Sequence, residues 1–182
     1  MTKYKKIYGE NNDKVYIIRQ NLATLYRDTK QIDISIEMFE KLIDDINTFK
    51  VDLKPNVIAN IYNSVSGCYR QIKNFEDAKE SLNKAFKLIK DNYGEKNLPI
   101  ATILQNIGMN YKDQGKFNES LDSYKKSLEI RKELLPEGHP DTLAINHNIG
   151  QLYLDFGDKE NADKYFGSNI DMMEKKEKDN KK

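Results

Sequence analysis

The chain has 182 residues, 38% apolar and 32% charged, with 30 basic and 29 acidic side chains and a formal net charge of +1. That balance gives a polyanion such as nucleic acid no general attraction, and no run approaches the roughly 18 apolar residues of a membrane span. The polar, basic start MTKYKKIYGENNDK is no secretory signal, and the single cysteine, Cys68, permits no intrachain disulfide, so a reducing, cytoplasmic setting is expected.

Residues 1–12 read as a polar lead-in, possible end of a preceding helix, with Tyr4, Ile7 and Tyr8 its apolar members. A first helix is predicted from Asp13, as N-cap, to Thr29, with Tyr16, Leu22, Ala23 and Tyr26 at helical spacing. Ile36, Phe39, Leu42 and Ile43 mark the packing side of a second, over 32–48. Pro55 opens a third helix, ending near Gln71. The fourth, 74–90, places Phe75, Ala78, Leu82, Ala85 and Leu88 three or four residues apart, and the unpatterned stretch from Asp91 through Gly94 to Asn97 should end it. Pro99 opens the fifth, which should close at Gln114-Gly115, where glycine takes a left-handed backbone without a β-carbon penalty. The sixth is a long amphipathic run over 117–135. Pro136 to His139 form a turn, with His139 helping to start the helix that Pro140 opens and Gly157 closes. The eighth runs from Lys159 to about 176, and the charged end, 177–182, should fray.

These elements repeat with a period of 42 residues. Asn106-Ile107-Gly108 recurs as Asn148-Ile149-Gly150, Tyr111 as Tyr153, Gly115 as Gly157, Ser120 as Ala162 and Tyr124 as Phe166. Ser66, Tyr69, Lys73, Phe75 and Ala78 hold the same places one period earlier, and Ala23, Tyr26, Lys30, Ile32 and Ser35 the same again. A fixed period of this size predicts a helical solenoid, with repeats over 13–54, 55–97, 98–139 and 140–176. Each is a pair of antiparallel helices, A and B. Small residues (Ala23, Ser66, Gly108 and Gly150 on A; Ser35, Ala78, Ser120 and Ala162 on B) mark where the two approach closely. The rings of Tyr26, Tyr69, Tyr111 and Tyr153 fill the space between successive repeats. A large residue at Gly108 should cost roughly 1–3 kcal/mol by overpacking.

The pattern resembles the tetratricopeptide repeat in its 42-residue form, as in kinesin light chains. The resemblance is carried by Asn106-Ile107-Gly108, Tyr111, Gln114-Gly115-Lys116-Phe117, Ser120, Tyr124, Leu128 to Lys132 and Gly138-His139-Pro140, and by their counterparts Asn148-Ile149-Gly150, Tyr153, Gly157-Asp158, Ala162 and Phe166. It is strongest in the third and fourth repeats. The first departs from it, with Lys30 in the Gly115 position and Ile32 in the ring position. The resemblance implies an all-α, right-handed superhelical solenoid of four helix pairs, its concave face lined by the A helices, serving as a non-enzymatic scaffold for partner proteins.

On that implied face lie Gln20, Asn21, Arg27, Asn63, Ser64, Arg70, Gln105, Asn106, Met109, Lys112, His147, Asn148 and Gln151. A carboxamide both donates and accepts, so a ladder of them can bracket the peptide bonds of an extended chain. In the related family, asparagines at the Asn21, Asn106 and Asn148 positions look like those that grip peptides; Ser64 departs from that pattern. Such asparagines can equally hold the backbone of a neighbouring repeat. Arg27, Arg70 and Lys112 form a basic stripe that would draw an acidic peptide, offset by Asp28, Asp113 and Asp155. Two histidines and one cysteine do not compose a zinc site, and no phosphate loop, HExxH or nucleophile elbow is present. No cofactor or catalysis is expected. Cys68 reads as a packing residue. Three roles remain open: a peptide-binding adaptor, a peptide-responsive sensor, or a self-associating protein joined through terminal helices, where Tyr165, Ile170 and Met173 lack a covering helix.

Overall fold

The computed structural model describes residues 13–179, with side chains from 14 to 173. The lead-in at 1–12, the Asp13 side chain as cap and the side chains of the charged end lie outside this range. Among the described residues every regular element is a helix: α1 (Asp13–Asp28), α2 (Ile32–Phe49), α3 (Pro55–Gln71), α4 (Phe75–Tyr93), α5 (Leu98–Asp113), α6 (Phe117–Leu134), α7 (Pro140–Asp155) and α8 (Lys159–Asp179). They form four helix pairs, and the chain divides into two compact units between Asn92 and Tyr93.

One hydrogen-bond pattern closes every A–B turn. The amide of residue 31, 74, 116 or 158 donates to the carbonyl of Tyr26, Tyr69, Tyr111 or Tyr153, at 2.8–3.0 Å. The residue before it bonds back to the carbonyl that follows the tyrosine. This is the Schellman closure, and it requires a left-handed residue just past the helix. Gly115 and Gly157 take that place at φ 73° and 83°, and Lys30 and Lys73 take it at 63° and 60°. The departure at Lys30 therefore leaves the turn geometry intact, at the cost of a β-carbon in a region L-residues avoid.

In the unit ending at Asn92, α1 packs on α2 and both meet α3. Tyr16, Ala23, Phe39, Leu42, Ile46, Ile61, Val65 and Cys68 form its core. In the unit starting at Tyr93, α5 packs on α6, α6 on α7 and α7 on α8, around Tyr124, Leu128, Ile145, Ile149 and Leu152. Side-chain bonds fix the antiparallel register: Ser120 Oγ donates to the Gly108 carbonyl at 2.8 Å, and Ser127 Oγ to the Ala101 carbonyl at 2.6 Å. Ser35 makes the equivalent bond to the Ala23 carbonyl at 2.7 Å. The small positions are close approaches. A β-carbon on Gly108 would stand 2.5 Å from the Tyr124 ring and 3.2 Å from the Ser120 carbonyl, and one on Gly150 would stand 2.6 Å from Phe166.

Helix starts follow local chemistry. Asn97 accepts the Ile100 amide at 2.9 Å, and His139 Nδ1 accepts the Asp141 amide at 3.1 Å, as expected for a helix-starting histidine. The α4 helix continues to Tyr93, one turn past the expected end at Lys90; Asp91 and Asn92 tolerate the helix, and Gly94 at φ 78° is the actual stop.

Candidate functional site

In the second unit the A helices α5 and α7 carry their candidate residues one period apart. Asn106 and Asn148 are both half-buried. Further along, Lys112 of α5 reaches Asp155 of α7 at 2.7 Å, and Gln151 donates to the same carboxylate at 2.7 Å. Those two bonds, Lys112 first, hold the Asp155 carboxyl below the usual carboxylate range. The structure thus brings Lys112, Gln151 and Asp155 into one cluster that spans neighbouring A helices.

Other candidates are engaged within their own repeat. Gln105 accepts a hydrogen bond from Arg131 Nη2 of α6 at 2.9 Å. Met109 packs against the core of its unit. His147 is exposed and lies against the Phe166 ring at 5.4 Å. Tyr153 sits between repeats as expected, 5.5 Å from Phe117 and 5.8 Å from Tyr165. Tyr165 and Phe166 therefore pack inward, whereas Ile170 and Met173 are 58% and 55% exposed.

In the first unit Gln20, Asn63, Ser64 and Arg70 are half-buried and Asn21 is exposed. Arg27 binds the Asp28 carboxylate through Nε and Nη2, at 3.0 and 2.9 Å, and its guanidinium lies beside Gly67 of the next A helix. In the expected basic stripe, Arg27 and Lys112 are thus already matched by carboxylates of their own unit. Tyr69 donates to Glu40 at 2.7 Å, which ties the second repeat to the first. Cys68 is buried and free, 3.3 Å from Ser35 Oγ, and burial pushes its thiol pKa up. It is a packing residue.

Sequence reasoning missed the buried polar layer of the second unit. Arg131 is only 4% exposed and donates to Ser127 Oγ and to Gln105. Among the described residues it has no ion pair, and burial lowers its pKa against the attraction of Asp141. The available signal was its spacing: Tyr124, Leu128 and Arg131 fall on one helical stripe. In the next repeat Asn169 replaces the Ser127 link, donating to the Leu143 carbonyl at 2.9 Å while accepting from Asn146 at 3.0 Å.

No group of His, Cys, Asp and Glu among the described residues could hold a metal ion, and no described helix is long and apolar enough to cross a membrane. The profile of the tetratricopeptide repeat matches residues 57–133 and 100–175, and a second profile of the same repeat matches 17–44. The chain belongs to the tetratricopeptide repeat family. Its helix pairs are tetratricopeptide repeats, a scaffold architecture for protein–protein interaction. No curated protein matches the sequence. Among solved structures, BtubC (BKLC) from P. vanneervenii is similar, with a TM-score of 0.79 at 20% identity over 91% of this chain and 65% of that one. The chain therefore spans just under two thirds of BtubC. A putative kinesin light chain from Podosopora anserina, with nearly identical TPR-like repeats, gives 0.73 at 15% identity over 96% and 82%. A Rap protein complexed with Competence and Sporulation Factor gives 0.71 at 17% over 88% and 43%. At these identities the likeness is one of fold.

Proposed function

We propose that this tetratricopeptide repeat protein is an adaptor that holds an extended segment of a partner protein along its A helices, by equilibrium binding and with no covalent step. The observation that carries the reading is in the second unit. Asn106 and Asn148 stand at one register, half-buried, on two A helices that Lys112 and Asp155 tie together. A carboxamide carries both a donor and an acceptor suited to a peptide bond, and a net hydrogen bond contributes about 0.5–1.5 kcal/mol. Because Arg27 and Lys112 are matched by Asp28 and Asp155, selection rests on amides more than on net charge.

The test is capture of partners from the native host by the wild type and by the Asn106→Ala/Asn148→Ala variant, with circular dichroism confirming that the variant is folded. The retained partner should fall at least about tenfold, the loss expected when each amide contributes one net bond. Undiminished capture by a folded variant would refute the assignment. Binding should also depend only weakly on salt; a steep dependence would restore the acidic-partner expectation.

A second reading, a peptide-responsive sensor, draws on the fold shared with the Rap protein complexed with Competence and Sporulation Factor. A cognate peptide should then change the chain's compactness, and small-angle scattering that is unchanged at saturation removes that reading.

A further inference from the structure

The first unit contains a cleft that the A-helix reading leaves unused. It has a volume of about 280 Å³ and lies between the B helices α2 and α4, with Tyr62, Val65 and Tyr69 of α3 as its floor. That is below the ~300–1,000 Å³ of small-molecule pockets, and suits one long side chain. Its walls carry Glu40 and Asp44 from α2 and Asp77 and Glu80 from α4, against a single cation, Lys84. In a chain with a net charge of +1 this is a local concentration of negative charge.

Three further features point to a cationic occupant. Lys84 lies over the Tyr62 ring, 5.7 Å from its centroid, while bound to Glu80 at 2.6 Å. The chain's own ammonium thus already uses the aromatic face and a carboxylate of this cleft as a cation site. Tyr69 donates to Glu40 at 2.7 Å, which fixes that carboxylate at the rim, and Asp44 has no ion pair among the described residues. Ser81, only 8% exposed, lines the same cleft, and its hydroxyl has no hydrogen-bond partner among the described residues. That hydroxyl is open to an N–H donor entering the cleft.

We infer that this cleft docks a basic segment of a partner protein, seating an arginine side chain over the tyrosine floor between the carboxylates of α2 and α4. Arginine fits better than lysine because its planar fork can stack on a ring and donate to several oxygens at once. The site is independent of the asparagine ladder.

Fluorescence anisotropy of the full chain tests this with a labelled Gly-Ser dodecapeptide carrying spaced arginines, and with the same peptide carrying citrulline, which keeps the shape and loses the charge. The arginine peptide should bind about tenfold more tightly. Glu40→Gln/Asp44→Asn should remove most of that difference. Lys84→Met, which clears the resident cation, should raise affinity severalfold, and needs no loss of function to be read. Asp122→Asn, on α6, should leave affinity unchanged. Equal binding of the two peptides, or an arginine preference that survives Glu40→Gln/Asp44→Asn with Lys84→Met silent, would overturn the proposal. So would a dimer in sedimentation that Glu40→Gln/Asp44→Asn dissolves, since the cleft would then belong to a second copy.

Discussion

Gln105→Glu is the sharpest test of the buried polar layer. It keeps the shape of the side chain and gives Arg131 the carboxylate it lacks. Arg131 is 4% exposed, and its bond to Gln105 Oε1 is 2.9 Å long. At an effective dielectric constant of ~20, unit charges ~4 Å apart attract by ~4 kcal/mol. Desolvating a carboxylate at this half-buried position offsets much of that. The present bond is already donated by a charged guanidinium, so the gain is what the added attraction leaves after desolvation, about 1–2 kcal/mol. For a chain of this length that is a rise in melting temperature of roughly 2–8 °C. The pairing depresses the folded-state pKa of the new glutamate, so the gain is fully present above the unfolded pKa of ~4.3. It is lost as pH falls through the lower folded value. Gln105→Ala, which strands the guanidinium, should cost about 1–3 kcal/mol. Thermal melts by circular dichroism at pH 7 and pH 3 read all of this. A glutamate variant that melts below the wild type at pH 7, or a neutral alanine variant, would show that Arg131 does not lack a counter-charge.

Further outcomes follow from the turns, the close approaches and the thiol. Gly108→Ala should destabilise by about 1–3 kcal/mol, because the fully buried Tyr124 ring and the Ser120 carbonyl leave no room; Gly150→Ala should be milder, since Phe166 is only half-buried and the alanine recovers up to ~1 kcal/mol of helix propensity. A denaturant titration that ranks the two the other way would contradict this. Lys73→Gly should stabilise by up to about 1 kcal/mol, and Gly115→Ala should destabilise by about as much, both read from unfolding midpoints, because each exchanges a β-carbon at a left-handed site. Cys68 should react with iodoacetamide far more slowly in the native chain than in urea. Because burial raises its pKa, native labelling should stay slow through pH 8–9; rapid native labelling at pH 8 would show the thiol to be accessible.

The fold was legible because its punctuation is periodic. Each tyrosine and the left-handed residue four positions after it mark a turn, and the structure closes every turn at that tyrosine's carbonyl. The misplaced end of α4 shows the limit of reading composition. Polar Asp91 and Asn92 look like a loop, yet Asn92 bonds the Leu88 carbonyl at 2.8 Å and the helix runs on to Gly94. The site was legible as register but not as contact. Nothing local says that Gln105 turns to Arg131, that Lys112 is held by Asp155 or that His147 lies on Phe166, because those partners come from other helices. Burial of Arg131 was hidden for the related reason that a charged residue on an apolar stripe usually extends its head into water.

The shared closure of the A–B turns has a bearing on how this chain can change in length. A residue added between Tyr111 and Lys116 would break a bond that all four turns make, and would throw every downstream side chain of the pair out of phase. The stretch 50–54 is closed in the same way, the Val51 amide donating to the Ile46 carbonyl with Lys50 at φ 47°, whereas Glu95 and Lys96, between α4 and α5, are exposed. Grafted epitopes, tags or fused domains should therefore be tolerated there and rejected at the tyrosine turns.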